Sequence, residues 1–421
     1  MAEAMDTGPE GVAYATETAT SAEELWPKVT EDIDVKDKKA VKAKETAISN
    51  LCEQLYKAAD ADGLRRLIDA IKPFLNVVSK AKGGKLFKQI IDRFVDLTNA
   101  TADEKVAMCK DCISWAKDSK RTFLRQALEV RLISLHLEAG EYQECLTQIR
   151  PLLRELKRLD DRQLLMEVHL MESKAYFFLS NYPKARAALV AARTIANSIY
   201  CPPRMQASLD LQSGVLHAQE ADFKTAYSYL YEAFEGFDSV DVPQAALRSL
   251  KYMLLAKILL EEAADIPAII TGKLALKYSG RELDAMQAVA SASLNRSLAD
   301  FQQAMTDFAK ELKEDFVVQN HVTELYDSLL EQNLMRLVEP FSRVEIDHLA
   351  ELIDLPVDAV EQKLSQMILD HKLHGILDQG ANCLQLFDEE ARNETYQKTL
   401  DTIAQTNLVV DALYKKAKGV V

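Results

Sequence analysis

Four stretches of the sequence repeat one apolar pattern at intervals near forty residues, and this repeat constrains the fold more than any other feature. From Tyr142, apolar residues follow at offsets three, four, seven, ten, eleven and fourteen: Cys145, Leu146, Ile149, Leu152, Leu153 and Leu156. The same offsets from Phe223 give Ala226, Tyr227, Leu230, Ala233, Phe234 and Phe237. From Leu64 they give Leu67, Ile68, Ile71, Phe74, Leu75 and Val78, and Tyr182 matches at Ala185, Leu189, Ala192 and Ala196. Residues so spaced share one face of an α-helix. The origins 142, 182 and 223 are forty and forty-one residues apart, and Leu64 lies two steps of thirty-nine before Tyr142. A degenerate copy near Val106 contains Cys109, Ile113 and Ala116, and another near Ile266 begins with Ile269 and Ile270 and then decays.

A polar or Gly break precedes each good origin (Asp62-Gly63, Gly140-Glu141, Ser180-Asn181, Ala221-Asp222), with a further apolar helix usually before it, such as Leu124, Leu128, Leu132 and Leu135. The unit is helix, short turn, helix. One unit cannot bury its apolar stripe, whereas stacked units can. The pattern therefore predicts a mainly α chain built as a right-handed, tetratricopeptide-like helix-pair solenoid. Chance spacing in an irregular helical bundle is the competing explanation, and four origins in phase weigh against it. Composition agrees: only 13 Gly and 11 Pro occur in 421 residues, and Lys85–Ala139 and Arg281–Glu339 contain neither. Hairpin-rich and glycine-looped folds need more of both.

The texture changes after Glu339. Pro340 ends a helix, and Ile346, Leu349 and Ile353 mark a short one, with Ser342 as its expected N-cap. Leu355-Pro356 turns the chain into a second helix running to about Asp370. Extended runs Leu373–Leu377 and Cys383–Phe387 flank the turn Asp378-Gln379-Gly380. This is the outline of a winged helix ending in a two-stranded hairpin. Finally, Tyr396, Leu400, Ile403, Asn407, Val410, Tyr414 and Ala417 alternate at four and three, a heptad seam with one polar member. The expected division is an acidic flexible tail over 1–40, a solenoid over 41–222, a helical region over 223–340, a winged helix over 341–388 and an assembly helix over 389–421.

The formal net charge is −14, and residues 1–35 carry nine acids against Lys28. More than half of the excess belongs to that tail. The second winged-helix segment, Val357–Asp370, carries Asp358, Glu361 and Asp370 against Lys363. Phosphate would repel it, so a protein-interaction role is preferred over DNA reading, although a nucleic-acid binder remains the alternative of a different class. Lys80, Lys82, Lys85 and Lys88 read either as a solvated face or as a docking patch for an acidic protein surface.

Catalytic motifs are missing. Gly84-Lys85 and Gly272-Lys273 are each followed by Leu and lack the upstream Gly of a phosphate loop. Cys109 and Cys112 have no second ligand pair at finger-like spacing and read as core. His371 and His374 lie outside any metalloprotease pattern. No enzymatic activity, cofactor or metal is expected. The six Cys are scattered, as suits a reducing compartment. No run is long and apolar enough for a bilayer, and no secretory leader is visible.

Solenoid, winged helix and C-terminal helix in that order form the layout of PCI-domain proteins. Lys120–Glu129, Tyr200–Pro203, Ala226–Tyr229, Tyr231–Gly236, Ser249–Leu255, Asn295–Phe301, Leu330–Leu334, Glu339–Val344, Lys363–Asp370 and His374–Gly380 resemble the PCI subunits of the proteasome lid over roughly residues 60–421. The resemblance implies a non-catalytic scaffold, cytoplasmic and nuclear. Its implied partners are other lid PCI subunits, the ATPase ring and the alpha ring of the core particle, with no nucleic acid or membrane. The outer edge of Cys383–Phe387, with Leu384 and Leu386, would continue a sheet shared with sister subunits. Tyr396, Leu400, Ile403, Asn407, Val410 and Tyr414 would enter a bundle of C-terminal helices. The signalosome and a translation initiation complex use the same layout and are the nearest alternatives.

Overall fold

A computed structural model describes residues 25–27, 29, 38–97, 99–260, 262–313, 315–353, 355–387 and 394–418. The chain forms two compact units, residues 1–250 and 251–421.

The first unit is a run of antiparallel helices: α1 (Lys38–Lys57), α2 (Ala61–Val77), α3 (Lys80–Val95), α4 (Ala102–Asp118), α5 (Thr122–Glu138), α6 (Tyr142–Leu159), α7 (Arg162–Phe178), α8 (Tyr182–Ala196), α9 (Pro203–Gln219), α10 (Phe223–Ser239) and the start of α11 (Pro243–Leu259). The expected origins Tyr142, Tyr182 and Phe223 are the first residues of α6, α8 and α10. All six offset positions of α6 are buried, as are Leu67, Ile68, Ile71 and Leu75 on α2. From α1 to α10 each helix packs on the next, and α3, α5, α7 and α9 also touch in succession, which makes the helix-pair stack. Small residues permit close approach. A Cβ on Gly214 would lie 2.6 Å from Leu230 Cγ, and one on Gly236 would lie 2.8 Å from Ala207 Cβ.

The turns explain the scarcity of glycine. Left-handed residues recur about every twenty positions, at Lys120, Gly140, Asp160, Ser180, Ala221 and Asp241. The residue after most of them donates its N–H back across the last helical turn. Arg121 bonds Ala116 O, Glu141 bonds His136 O, Asn181 bonds Tyr176 O, Asp222 bonds His217 O and Val242 bonds Phe237 O, at 2.9–3.2 Å. These are Schellman closures, most of them built without Gly. Side-chain caps then start the following helices: Asp60 accepts from Gly63 N–H, Asp161 from Leu164 and Asp222 from Thr225, while Thr101 and Glu104 form a capping box.

The expected flexible tail needs one correction. Leu25 and Val29 are buried and join the core of α1–α5, with Trp26 packed against that core, so this part of 1–40 is folded against the stack. Their apolar bulk outweighs the acidic neighbourhood that suggested solvent. The rest of the tail, residues 1–24, 28 and 30–37, lies outside the described residues.

The second unit continues with α12 (Ile266–Ile270), α13 (Arg281–Asn295), α14 (Leu298–Asp307), α15 (Ala309–Lys313) and the long α16 (Phe316–Val338). The decaying repeat at Ile266 is the five-residue α12. Buried Lys251 reaches Glu311 O at 3.2 Å and Asp315 at 3.4 Å, and Tyr252 OH donates to Asp315 at 2.8 Å, fixing the middle of α11 to α15 and to the N-cap of α16. Then come β1 (Arg343–Glu345), α17 (Ile346–Ile353), α18 (Val357–Leu369), β2 (Gly375–Asp378), β3 (Cys383–Leu386) and α19 (Glu394–Lys418). The sheet has three strands, antiparallel, in the order β1-β3-β2. The two-stranded expectation missed β1, where Ser342 and Arg343 were read as leading directly into a helix.

Candidate functional site

Lys80, Lys82, Lys85 and Lys88 all lie on α3 and are all exposed. They are not equivalent. Lys88 faces Asp92 and Glu167, where its charge opposes the burial that pushes both carboxyls above their ordinary range. Arg131 joins this group, reaching Asp96 at 2.8 Å and Asp92 at 3.7 Å. Lys88 therefore belongs partly to an internal charge ladder along α3, α5 and α7, which leaves Lys80, Lys82 and Lys85 as the outward part of the patch.

The winged helix corrects the expected docking edge. β3 is the central strand: Val344 pairs with Leu384 on one side, and Leu377 pairs with Leu384 on the other. Leu386 N–H donates to Ser342 O and Phe387 N–H to His374 O, extending both ladders. Leu384 is fully buried and Leu386 half-buried, so neither offers an outer edge. Among the described residues the free edges belong to β1 and β2, with Ile376 of β2 56% exposed. Gly375 allows β2 to sit close, because a Cβ there would lie 2.6 Å from Gln385 O.

On α18, the lone cation is engaged. Lys363 lies 3.0 Å from Glu331 and 4.0 Å from Asp327, both on α16, and Lys372 also bonds Glu331. Burial alone would raise the Glu331 carboxyl, yet hydrogen bonds and charge from Lys372 and Lys363 hold it below the usual carboxylate range. Asp358 and Asp370 stay exposed. The surface that a DNA reader would use is acidic, and its single Lys is turned inward.

α19 is the plainest candidate. Every described side chain on it is exposed, including Tyr396, Leu400, Ile403, Asn407, Val410 and Tyr414. A 25-residue helix cannot gain its stability from an apolar face left in water. Leu408, Val409 and Leu413 are exposed as well. They were missed because they lie off the heptad line, and together they widen the apolar surface of the C-terminal half beyond one seam. The signal was present in the run Leu408-Val409-Val410.

An open recess of about 610 Å³ lies between α14 and α16, lined by Phe301, Gln302, Met305, Thr306, Val322, Thr323 and Tyr326. It offers no carboxylate, imidazole, thiol or amine for acid–base or nucleophilic work. Four thiols elsewhere are similarly unsuited: burial pushes Cys52, Cys109 and Cys145 up to about 11 and Cys112 up to about 12.

Stacked helix pairs, a three-stranded winged helix and an uncovered terminal helix define a PCI-type assembly protein, and residues 305–388 match the PCI domain family. Residues 9–139 match the family described as 26S proteasome regulatory subunit RPN6 N-terminal domain. The chain is 50% identical over 378 residues to the probable 26S proteasome regulatory subunit rpn6 of Schizosaccharomyces pombe, covering 90% of each chain. It is 50% identical over 378 residues to the 26S proteasome non-ATPase regulatory subunit 11 homolog of Arabidopsis thaliana, again covering 90% of each. Against the 26S proteasome regulatory subunit RPN6 of Saccharomyces cerevisiae it is 42% identical over 386 residues, covering 90% of this chain and 88% of the relative. The chain belongs to the RPN6 family of 26S proteasome regulatory subunits.

Proposed function

We propose that the chain is a non-catalytic scaffold subunit of the lid of the 26S proteasome regulatory particle. It joins lid, ATPase ring and the alpha ring of the core particle during ATP-dependent degradation of ubiquitinated proteins. The observation that carries this reading is α19, whose whole apolar seam stands uncovered in the chain by itself. Exposed apolar surface of that length marks a partner site. In the particle, Tyr396, Leu400, Ile403, Asn407, Val410 and Tyr414 enter a bundle of C-terminal helices, with Leu408, Val409 and Leu413 facing a second neighbour.

The other contacts follow from the surfaces above. A sister PCI subunit adds its strand to the open edge of β2 or β1, since β3 is paired on both sides. Lys80, Lys82 and Lys85 meet an acidic protein surface. Several modest interfaces on one body act together through effective concentration. Residence in cytoplasm and nucleus fits six free cysteines.

The experiment is affinity isolation of the tagged full chain from cells, with the co-purifying proteins identified by mass spectrometry. Lid subunits, ATPases and core-particle subunits are expected together. Recovery without them refutes the reading. Salt-sensitive binding to duplex DNA or RNA in a low-salt mobility-shift titration would favour the nucleic-acid alternative instead.

A further inference from the structure

We propose that the turn between α5 and α6 is a site for a divalent transition metal of the zinc type, with His136, Glu141 and Glu144 as its protein ligands. The proposal is independent of the lid reading. His136 lies in the last turn of α5, Gly140 reverses the chain with φ +81°, and the Glu141 N–H closes onto His136 O at 2.9 Å. That reversal brings Glu141, the residue before α6, and Glu144, in its first turn, over one edge of the imidazole. Nδ1 of His136 lies 2.6 Å from Glu141 Oε2 and 3.9 Å from Glu144 Oε2. All three donor atoms lie within 4.8 Å of one another.

The ring is the fixed part. His136 is 1% exposed, and its other nitrogen faces the Gln148 amide at 3.2 Å, one turn beyond Glu144. A hydrogen-bonding partner on the far nitrogen is the arrangement that orients a metal-binding imidazole. The carboxylates are the adjustable part, with side chains 48% and 64% exposed. Zinc binds imidazole nitrogen and carboxylate oxygen at about 2.0–2.2 Å, which sets neighbouring donors of a tetrahedron about 3.4 Å apart. Glu141 must withdraw by about 0.8 Å and Glu144 approach by about 0.5 Å, changes that exposed side chains make by small rotations. Water fills the fourth position.

The N-terminus of α6 contributes about +0.5 of a charge, which opposes a cation, but two carboxylates outweigh it. A metal on Nδ1 takes that nitrogen's lone pair, which leaves the ring N–H on Nε2 to donate to the Gln148 amide oxygen once the amide turns over. One imidazole among three protein donors selects zinc, cobalt or nickel over calcium and magnesium, which prefer six or more oxygens. The ion would pin the C-terminus of α5 to the N-terminus of α6.

The test uses the full chain, stripped with a chelator. It is titrated with zinc by calorimetry and with cobalt by visible absorption. We expect one ion with micromolar affinity and weak cobalt bands free of sulfur-to-metal charge transfer. Glu144→Gln should weaken binding at least about tenfold, because even outer-shell partners of metal ligands cost that much. The Glu141→Gln/Glu144→Gln pair should abolish it with unchanged circular dichroism, and Asp103→Asn, away from the turn, should bind like the parent. Absence of binding below about a hundred micromolar, equal binding by the double variant, or a thiolate charge-transfer band would each overturn the proposal.

Discussion

Replacing Leu400 and Ile403 with Asp separates the role of α19 in assembly from its role in the chain's own fold. Leu400 is 44% and Ile403 53% exposed, so about half of each side chain's burial is still to be gained. Full burial of such a side chain contributes about 1.5–3 kcal/mol, so covering the remainder yields roughly 1 kcal/mol each. An Asp in the same place must also lose water against apolar neighbours, which costs several kcal/mol when the carboxylate finds no partner. Together the two changes cost the bundle at least about 5 kcal/mol, more than a thousandfold in association. The isolated chain should hardly respond, because exposed substitutions away from special features stay within about 0.5 kcal/mol. The assay co-expresses differently tagged parent and variant chains and measures their ratio in purified particles. The double variant should be nearly absent, whereas Thr395→Asp, exposed, about a third of a turn off the seam and more than three turns before Leu408, should enter normally. Incorporation of the double variant at the parent ratio refutes the reasoning. So does a loss of stability in the isolated chain, which would mean that α19 already packs on its own protein.

Gly214→Ala should destabilise the first unit by about 1–3 kcal/mol, because its Cβ meets Leu230 Cγ at 2.6 Å inside a filled contact; an unchanged urea midpoint for that unit would contradict this. Glu331→Gln should loosen the winged helix from α16 and speed tryptic cleavage at Arg343, since Lys363 and Lys372 lose their shared carboxylate. That carboxyl is held below its ordinary value near 4.5, so its bridge contributes fully at neutral pH and is lost as pH falls from about 4.5 through the lowered folded value. The acid sensitivity of cleavage should accordingly be weaker in the Gln variant, and equal sensitivity would remove Glu331 as the cause. In native thiol titration, half-buried Cys201 should react first, while Cys52, Cys109, Cys112 and Cys145 wait for unfolding.

Helix positions in the stack were legible because one face of each helix is buried at regular spacing, so the apolar period survives in the sequence. Tyr142, Tyr182 and Phe223 mark helix starts for that reason. The turns at Gly140, Ser180 and Ala221 were legible as polar or Gly breaks, but their left-handed backbone was legible only at Gly140. Lys120, Ser180, Ala221 and Asp241 adopt the same left-handed backbone without glycine, held by the closure of the preceding helix. β1 is three residues long with one buried side chain, Val344, too short for any period to register. Its absence from the sequence reading is what made β3 look like an edge and Leu384 like a surface residue. Leu25 and Val29 were hidden by acidic neighbours, because composition averages over the few side chains that anchor a segment. The seam of α19 was readable by its heptad, while Leu408, Val409 and Leu413 show that its apolar surface is broader. The His136 cluster depends on a chain reversal, which brings together residues that linear motif spacing does not associate.

Amide hydrogen exchange across residues 394–418, measured on the isolated chain and on the chain within the purified particle, tests the central claim most directly. In the isolated chain these amides should exchange as a solvent-exposed helix does, fast compared with those of α6 and α10. Within the particle they should slow by at least about a hundredfold, corresponding to roughly 2.7 kcal/mol of added protection. Equal exchange in the two states would contradict the account, because the apolar surface of α19 would then remain uncovered in the assembly.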